Sequence, residues 1–243
     1  MVFPWLPVVV LLHATVAWAG ETITVGVATN FSEPLARLAA LYEAENSVRV
    51  EPISAGTGKL YALVKNGAPI DLLLAADAKT PEQLHDEGVC LPPFVYARGS
   101  LVLWSRQPRS AHSWQEVMAG SEVRKIAIAK PELAPYGQAA LAVLRESGLW
   151  QGARGKIVYS QNVVQAFQYA ASGAVDLAFV AASLALSKEG RQGWAWPVFE
   201  APVVVQAGCV VNGGRHRQAA TAFGEFLRSA EARRILGAHG YSF

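Results

Sequence analysis

The chain has 243 residues, 52% of them hydrophobic, and carries 21 Lys and Arg against 19 Asp and Glu for a net charge of +2. That near-balance, with no basic block and no basic-aromatic interleaving, gives nucleic acid no footing as a partner, and none is expected. Cys90 and Cys209 lie far apart and make neither a metal motif nor a redox pair; in an oxidising compartment they either join as a disulfide or are two small buried residues.

The first twenty residues carry no charged side chain and end in Ala17-Trp18-Ala19, the pattern of a signal peptide over residues 1–19, cut before Gly20. With no Lys or Arg ahead of the apolar run, an uncleaved anchor is the alternative, although Pro4, Pro7 and His13 make a poor spanning helix. The remainder is long enough for one large or two moderate domains, and no later segment is apolar enough for long enough to cross a bilayer.

Ile23, Val25 and Val27 alternate as a strand, and Leu35, Leu38, Leu41 and Tyr42 then recur at helical spacing. At the joint stand Thr29, Asn30 and Ser32, with Glu33 placed as a capping-box partner of Asn30 and Pro34 in the first turn. A second strand over residues 48–53 breaks at a polar turn through Gly56-Thr57-Gly58-Lys59, and Leu60, Leu63 and Val64 carry the next helix. Residues 70–75 form an apolar run with Asp71 near its start, as in a strand buried on both faces of a parallel sheet. Thr80-Pro81-Glu82-Gln83 reads as a capping box, closed by Gly88.

Further along, residues 94–104 read as a long strand, Ser113 with Glu116 caps a short helix, and residues 125–129 form another strand. Pro135-Tyr136-Gly137 opens a helix, residues 157–159 a strand, and Gln161-Asn162 a helix through Val163, Ala166, Phe167 and Ala170; residues 176–181 add a strand. Residues 198–211 read as a second long strand despite Pro202, before two helices over residues 217–228 and 229–236. This alternation means an α/β fold with mostly parallel central sheets and helices on both faces. The two long strands bracket the middle of the chain as crossovers. They divide it into a discontinuous domain I, residues 20–100 and 203–243, and an inserted domain II, residues 101–202.

A polar strand-to-helix joint thus recurs four times, at Thr29-Asn30, Gly56-Thr57-Gly58, Pro135-Tyr136-Gly137 and Gln161-Asn162-Val163, two in each domain. Facing one cleft, their hydroxyls and backbone N–H groups would surround a small oxyanion with no Lys or Arg in contact; apart, each is an ordinary cap. Gly56-Thr57-Gly58-Lys59 is no nucleotide loop, because Ile53 and Leu60 stand where the pattern needs Gly and Ser or Thr. The five histidines have no metal-ligand spacing and no Gly-x-Ser-x-Gly elbow is present. Asp71 and Asp77 are expected to cap or to hydrogen-bond rather than to catalyse, and Trp104, Trp114, Trp194 and Trp196 are core or domain-contact residues sooner than a ligand platform.

Taken together, Val-Ala-Thr-Asn-Phe-Ser-Glu-Pro-Leu at 27–35, Gly-Thr-Gly-Lys-Leu-Tyr-Ala at 56–62, Gly-Ala-Pro-Ile-Asp-Leu-Leu-Leu-Ala-Ala-Asp at 67–77, Tyr-Ala-Arg-Gly-Ser-Leu-Val-Leu-Trp at 96–104, Pro-Glu-Leu-Ala-Pro-Tyr-Gly at 131–137 and Gln-Asn-Val at 161–163 resemble the periplasmic molybdate-binding protein family. The resemblance implies a two-domain periplasmic binding protein fold of type II, with crossed hinge strands. It also implies a monomer in the periplasm that captures molybdate or tungstate and delivers it to an ABC transporter membrane permease, with no cofactor and no catalysis. Molybdenum would be held as its oxyanion, with no direct bond from metal to side chain. Ligand contacts carried over by motif fall on Thr29, Asn30, Thr57, Tyr136 and Val163, the last through its amide. Some members of the family place Ser where Asn30 stands, and others use a tyrosine where this chain has Ala181; the Tyr136 hydroxyl would fill that gap. The alternatives are another tetrahedral oxyanion (sulfate, chromate or phosphate), a periplasmic enzyme using Asp77 or Tyr136, and an effector-binding domain of similar fold.

Overall fold

A computed structural model describes residues 20–243; the expected signal peptide lies outside the described residues. Strand β1 (Glu21–Ala28) passes through a 3-10 turn (Thr29–Phe31) into helix α1 (Ser32–Glu45), followed by β2 (Val48–Ala55), α2 (Thr57–Lys65), β3 (Leu72–Ala75) and α3 (Lys79–Asp86). Next, β4 (Phe94–Gly99) and β5 (Leu101–Ser105) are separated by Ser100 alone. Then come α4 (Trp114–Ala119), β6 (Ile126–Ala129), α5 (Pro135–Glu146), α6 (Trp150–Ala153), β7 (Ile157–Ser160), α7 (Val163–Ala171), β8 (Leu177–Ala181), α8 (Ala182–Ala185) and β9 (Trp194–Pro197). The chain ends with β10 (Val204–Val210), α9 (Arg217–Phe226) and α10 (Ala230–Ala238).

The strands form two five-stranded sheets, ordered β2-β1-β3-β10-β4 and β7-β6-β8-β5-β9. Each is mixed. In each, four strands run one way and a single strand, β10 in the first sheet and β5 in the second, enters from the opposite sheet and runs against them. The fully buried Leu-Leu-Leu-Ala of β3 sorts its side chains by pleat. Leu72 and Leu74 join Ile23, Val25 and Val27 of β1 against Leu35, Leu38, Phe223 and Leu236 of α1, α9 and α10, while Leu73 faces Leu60 and Val64 of α2 and Leu84 of α3. That second apolar cluster runs on into the other sheet through Leu101, Leu103 and Trp104, so the two lobes share buried surface.

Two extended connections join the lobes, β4 into β5 and β9 back into β10, and β10 lies antiparallel to β4 from Val204↔Gly99 onward. The long strand expected over residues 198–211 is broken. A turn closed by the Ala201 amide on the Val198 carbonyl precedes Pro202, which has no N–H for a ladder, and the strand begins only at Val204.

Two expected capping boxes do not form. Asn30 is turned into the protein rather than capping α1, and α3 starts one residue before Thr80, whose amide and hydroxyl both donate to Asp77, at 2.8 and 3.2 Å. Asp77 is therefore the capping carboxylate. Asp71 accepts from the amides of Thr24 and His216, as expected of a bonding rather than catalytic group. Cys90 and Cys209 are both buried free thiols, and the Cys209 thiol is held far above its usual range by its contact with Cys90 and by burial. Trp104 and Trp114 are core residues, whereas Trp194 is partly exposed and Trp196 donates to the Ala111 carbonyl.

Candidate functional site

Parallel register brings the joints together in pairs. Ala28 is level with Ala55, so β1 and β2 end side by side; Ala129 is level with Ser160, so β6 and β7 do the same in the other lobe. The lobes then close these pairs on each other. The Gly58 amide donates to the Leu133 carbonyl at 3.2 Å, and a Cβ built on Gly56 would meet the Gln161 carbonyl at 3.4 Å and the Asn162 Cβ at 3.5 Å. Between them lies a cleft of about 400 Å³, walled by Thr29, Ser54, Ala55, Gly56, Gly58 and Lys59 from one lobe and by Leu133, Gln161 and Asn162 from the other. Three of the four joints line it directly, and the fourth adjoins it through Leu133, two residues before Pro135.

The helix starts at the cleft are short of acceptors. Gly56 precedes α2 and Ala134 precedes α5; neither offers a capping side chain, and Pro135 stands in the first turn of α5. An uncapped helix start leaves N–H groups without an intrahelical partner and concentrates the positive end of the dipole. At α7, Asn162 caps the Gln165 amide at 2.9 Å, and the Gln165 side chain in turn accepts from the Gln161 amide at 2.7 Å. The amide of Val163, the first helical residue, has no acceptor within its own helix. Gly137 lets α5 begin where it does, since a Cβ there would fall 2.1 Å from the Ala129 carbonyl oxygen.

The five residues picked out from the sequence divide by position. Thr29 lines the cleft. Thr57 sits between lining neighbours, 3% exposed, its oxygen accepting from the Ala76 amide at 3.1 Å, which leaves its hydroxyl proton to donate elsewhere. Val163 is likewise buried directly behind Asn162. Asn30 does not present its side chain to the cleft; its amide group donates to Gln206 and to Tyr241, each at 2.9 Å. The Tyr136 hydroxyl also departs from expectation. It is fully buried against Gly99, where a Cβ would lie 2.1 Å from it, and has no hydrogen-bond partner among the described residues. Tyr136 stands at the second position of α5, and its ring reaches back to the crossover strand.

Burial holds the Tyr136 hydroxyl well above its ordinary range and pushes Tyr241 up to about 12, so both are neutral donors at physiological pH. The cleft wall does include one cation that the four-joint reading left out. Lys59, one turn into α2, is exposed at its edge. Ser54, whose hydroxyl meets Ser32 at 2.6 Å, is a second lining residue missed from sequence; its signal was its place at the end of β2, level with the start of the polar turn. Among the described residues no group of three His, Cys, Asp or Glu side chains could hold a metal ion, and no helix is long and apolar enough to cross a membrane.

The profile of the family described as bacterial extracellular solute-binding protein matches residues 23–242. Molybdate-binding protein ModA of Azotobacter vinelandii is 35% identical over 236 residues, 95% of this chain and 93% of that one. Its counterpart from Rhodobacter capsulatus is 34% identical over 227 residues, 93% and 89% of the two chains. The solved structure of the Azotobacter vinelandii periplasmic molybdate-binding protein superposes with a TM-score of 0.86 at 35% identity, over 91% of this chain and 99% of that one.

Proposed function

Because this chain belongs to the bacterial extracellular solute-binding protein family, alongside the molybdate-binding proteins, we propose that its cleft captures molybdate in the periplasm and hands it to the membrane permease of an ABC transporter. The observation that carries this reading is the convergence, on one cleft between two lobes, of uncapped helix starts and a threonine hydroxyl, with no carboxylate on the wall. Such a site suits a small dianion. Amides and hydroxyls supply positive potential without a compensating negative group, and a buried neutral shell avoids the desolvation of a fixed charge.

The contact set is Thr29, the backbone at Asn30, Thr57 and the amides of Tyr136 and Val163, with the Asn30 side chain and the Tyr136 hydroxyl outside it. Lys59, exposed at the mouth, attracts the anion rather than coordinating it. Tungstate fits the same shell, since it has the same shape and charge; sulfate, with shorter bonds to oxygen, reaches fewer donors at once. Contacts from both lobes give the anion its preference for the closed arrangement, as a ligand shifts a two-state equilibrium only by its differential affinity. The protein is on this reading a monomeric transport component, not an enzyme, and residues 1–19 are its export signal.

Isothermal titration of the chain from Gly20 onward with molybdate, tungstate, sulfate, phosphate and chromate in one buffer tests this. Tight binding of molybdate and tungstate with none of sulfate is expected. Heat from sulfate or phosphate but not molybdate would replace the ligand, and silence toward all five would overturn the reading.

A further inference from the structure

Behind the cleft lies a buried cluster of polar side chains, from Asn30, Ser183, Gln206 and Tyr241, none of which is among the residues that wall the cleft. The Asn30 carbonyl accepts from the Ser183 and Tyr241 hydroxyls, both at 3.0 Å, and those two hydroxyls are 3.2 Å apart. The two side-chain hydrogens of Asn30 go to Gln206 and Tyr241, and Gln206 in turn donates to the Val204 carbonyl at 2.9 Å. The Asn30 backbone carbonyl and both of its side-chain hydrogens are thus committed.

The members come from different parts of the molecule. Asn30 follows the cleft-lining Thr29 in the first lobe, and Gln206 stands at the irregularity of the crossover strand β10. Tyr241 lies beside the Ser242–Arg98 bridge on that same lobe. Ser183, on α8 directly after β8, belongs to the second. The bonds of Ser183 to Asn30 and Tyr241 therefore cross between lobes, while the Tyr241–Asn30 bonds stay within one. A buried network of this kind is fully satisfied only when both lobes are in place.

Resting on the molybdate reading above, we propose that Ser183 is a positioning residue for anion binding, holding the Thr29–Asn30 joint at the cleft in the closed arrangement through the Asn30 carbonyl without touching the ligand. When the lobes part, the Asn30 carbonyl keeps its bond from Tyr241 and the Ser183 hydroxyl loses its acceptor. The contact thus favours the closed state alone. Removing it speeds release of the anion and leaves capture by the open protein as it was.

The test is stopped-flow and titration calorimetry of wild type, Ser183→Ala and Tyr241→Phe with molybdate, together with melting of each protein with and without the anion. Ser183→Ala is expected to weaken binding about two- to tenfold, the worth of one neutral hydrogen bond, with the change in koff, kon unaltered and the ligand-free melting temperature unmoved. Tyr241→Phe breaks two bonds to Asn30 inside one lobe as well as its contact with Ser183, so unlike Ser183→Ala it should lower the ligand-free melting temperature. A Ser183→Ala protein with wild-type Kd and koff would overturn the inference. So would one that loses as much stability without the anion as with it, which would mark a merely structural serine. Failure of wild type to bind any of the five oxyanions would overturn the functional reading first and this inference with it.

Discussion

Replacing Thr57 by Ala separates two jobs of one side chain. In the folded protein the Thr57 oxygen accepts the Ala76 amide at 3.1 Å in a fully buried setting. Thr57→Ala leaves that N–H without its acceptor, at a cost of about 1–3 kcal/mol of folding stability. The cost is present with or without ligand and so cancels from the binding equilibrium. What remains in Kd is the loss of the hydroxyl proton as a donor to the anion, and a hydrogen bond to a charged group is worth about 1.5–3 kcal/mol, or roughly 10- to 150-fold in affinity. Thr57→Ser keeps the oxygen and its proton and should bind within about twofold of wild type. Calorimetric titration with molybdate gives Kd, and thermal melting of the ligand-free proteins gives the stability term. Were Thr57→Ala to lose melting temperature yet keep its affinity, the hydroxyl would serve Ala76 alone and the contact set would be wrong at its best-placed side chain.

Gly58→Val should hold the lobes apart, because a Cβ at that position lies 3.3 Å from the Leu133 carbonyl oxygen; overpacking of roughly 1–3 kcal/mol would fall on closure, weakening molybdate binding with little change in the ligand-free melting temperature. Tyr136→Phe removes a hydroxyl buried against Gly99 and beside Tyr241, so titration should find the affinity for molybdate unchanged, whereas a drop in affinity would return the hydroxyl to the ligand shell. Asp77 is held above its usual value of 3.8 chiefly by burial, against the pull of Thr80. Between 3.8 and that raised value the folded state binds more protons than the unfolded one, so the stability tied to Asp77 falls as pH rises through this window. Asp77→Asn, which keeps an oxygen for Thr80, should flatten that decline in melting temperature against pH, and an unchanged slope would refute it.

The alternation of Ile23, Val25 and Val27, the apolar run of β3 and the helical stripes were legible because each is a local periodicity imposed by one buried face. The four joints were legible for a related reason. Short polar residues between a strand and a helix are needed wherever the backbone must turn and its N–H groups must find acceptors. The roles of Asn30 and Tyr136 were not legible in the same way. Both stand in the right motifs, yet the Asn30 amide group is claimed by Gln206 and Tyr241, 176 and 211 positions away, and the Tyr136 ring ends on Gly99 in the crossover. The capping of α3 by Asp77 rather than Thr80 was a one-turn error that either residue type could have satisfied.

By itself, then, the sequence determined the order and kind of the elements, the apolar faces that must be buried and the four polar joints at which helices begin, since all of these depend on neighbours within a few residues. Tertiary structure decided which of those places meet. Register levels Ala28 with Ala55 and Ala129 with Ser160, the crossovers bring Gly58 onto Leu133, and the direction in which Asn30 and Tyr136 point follows from partners far along the chain. Hydrogen-bond satisfaction in a buried space is a property of the closed assembly, and no local pattern records it.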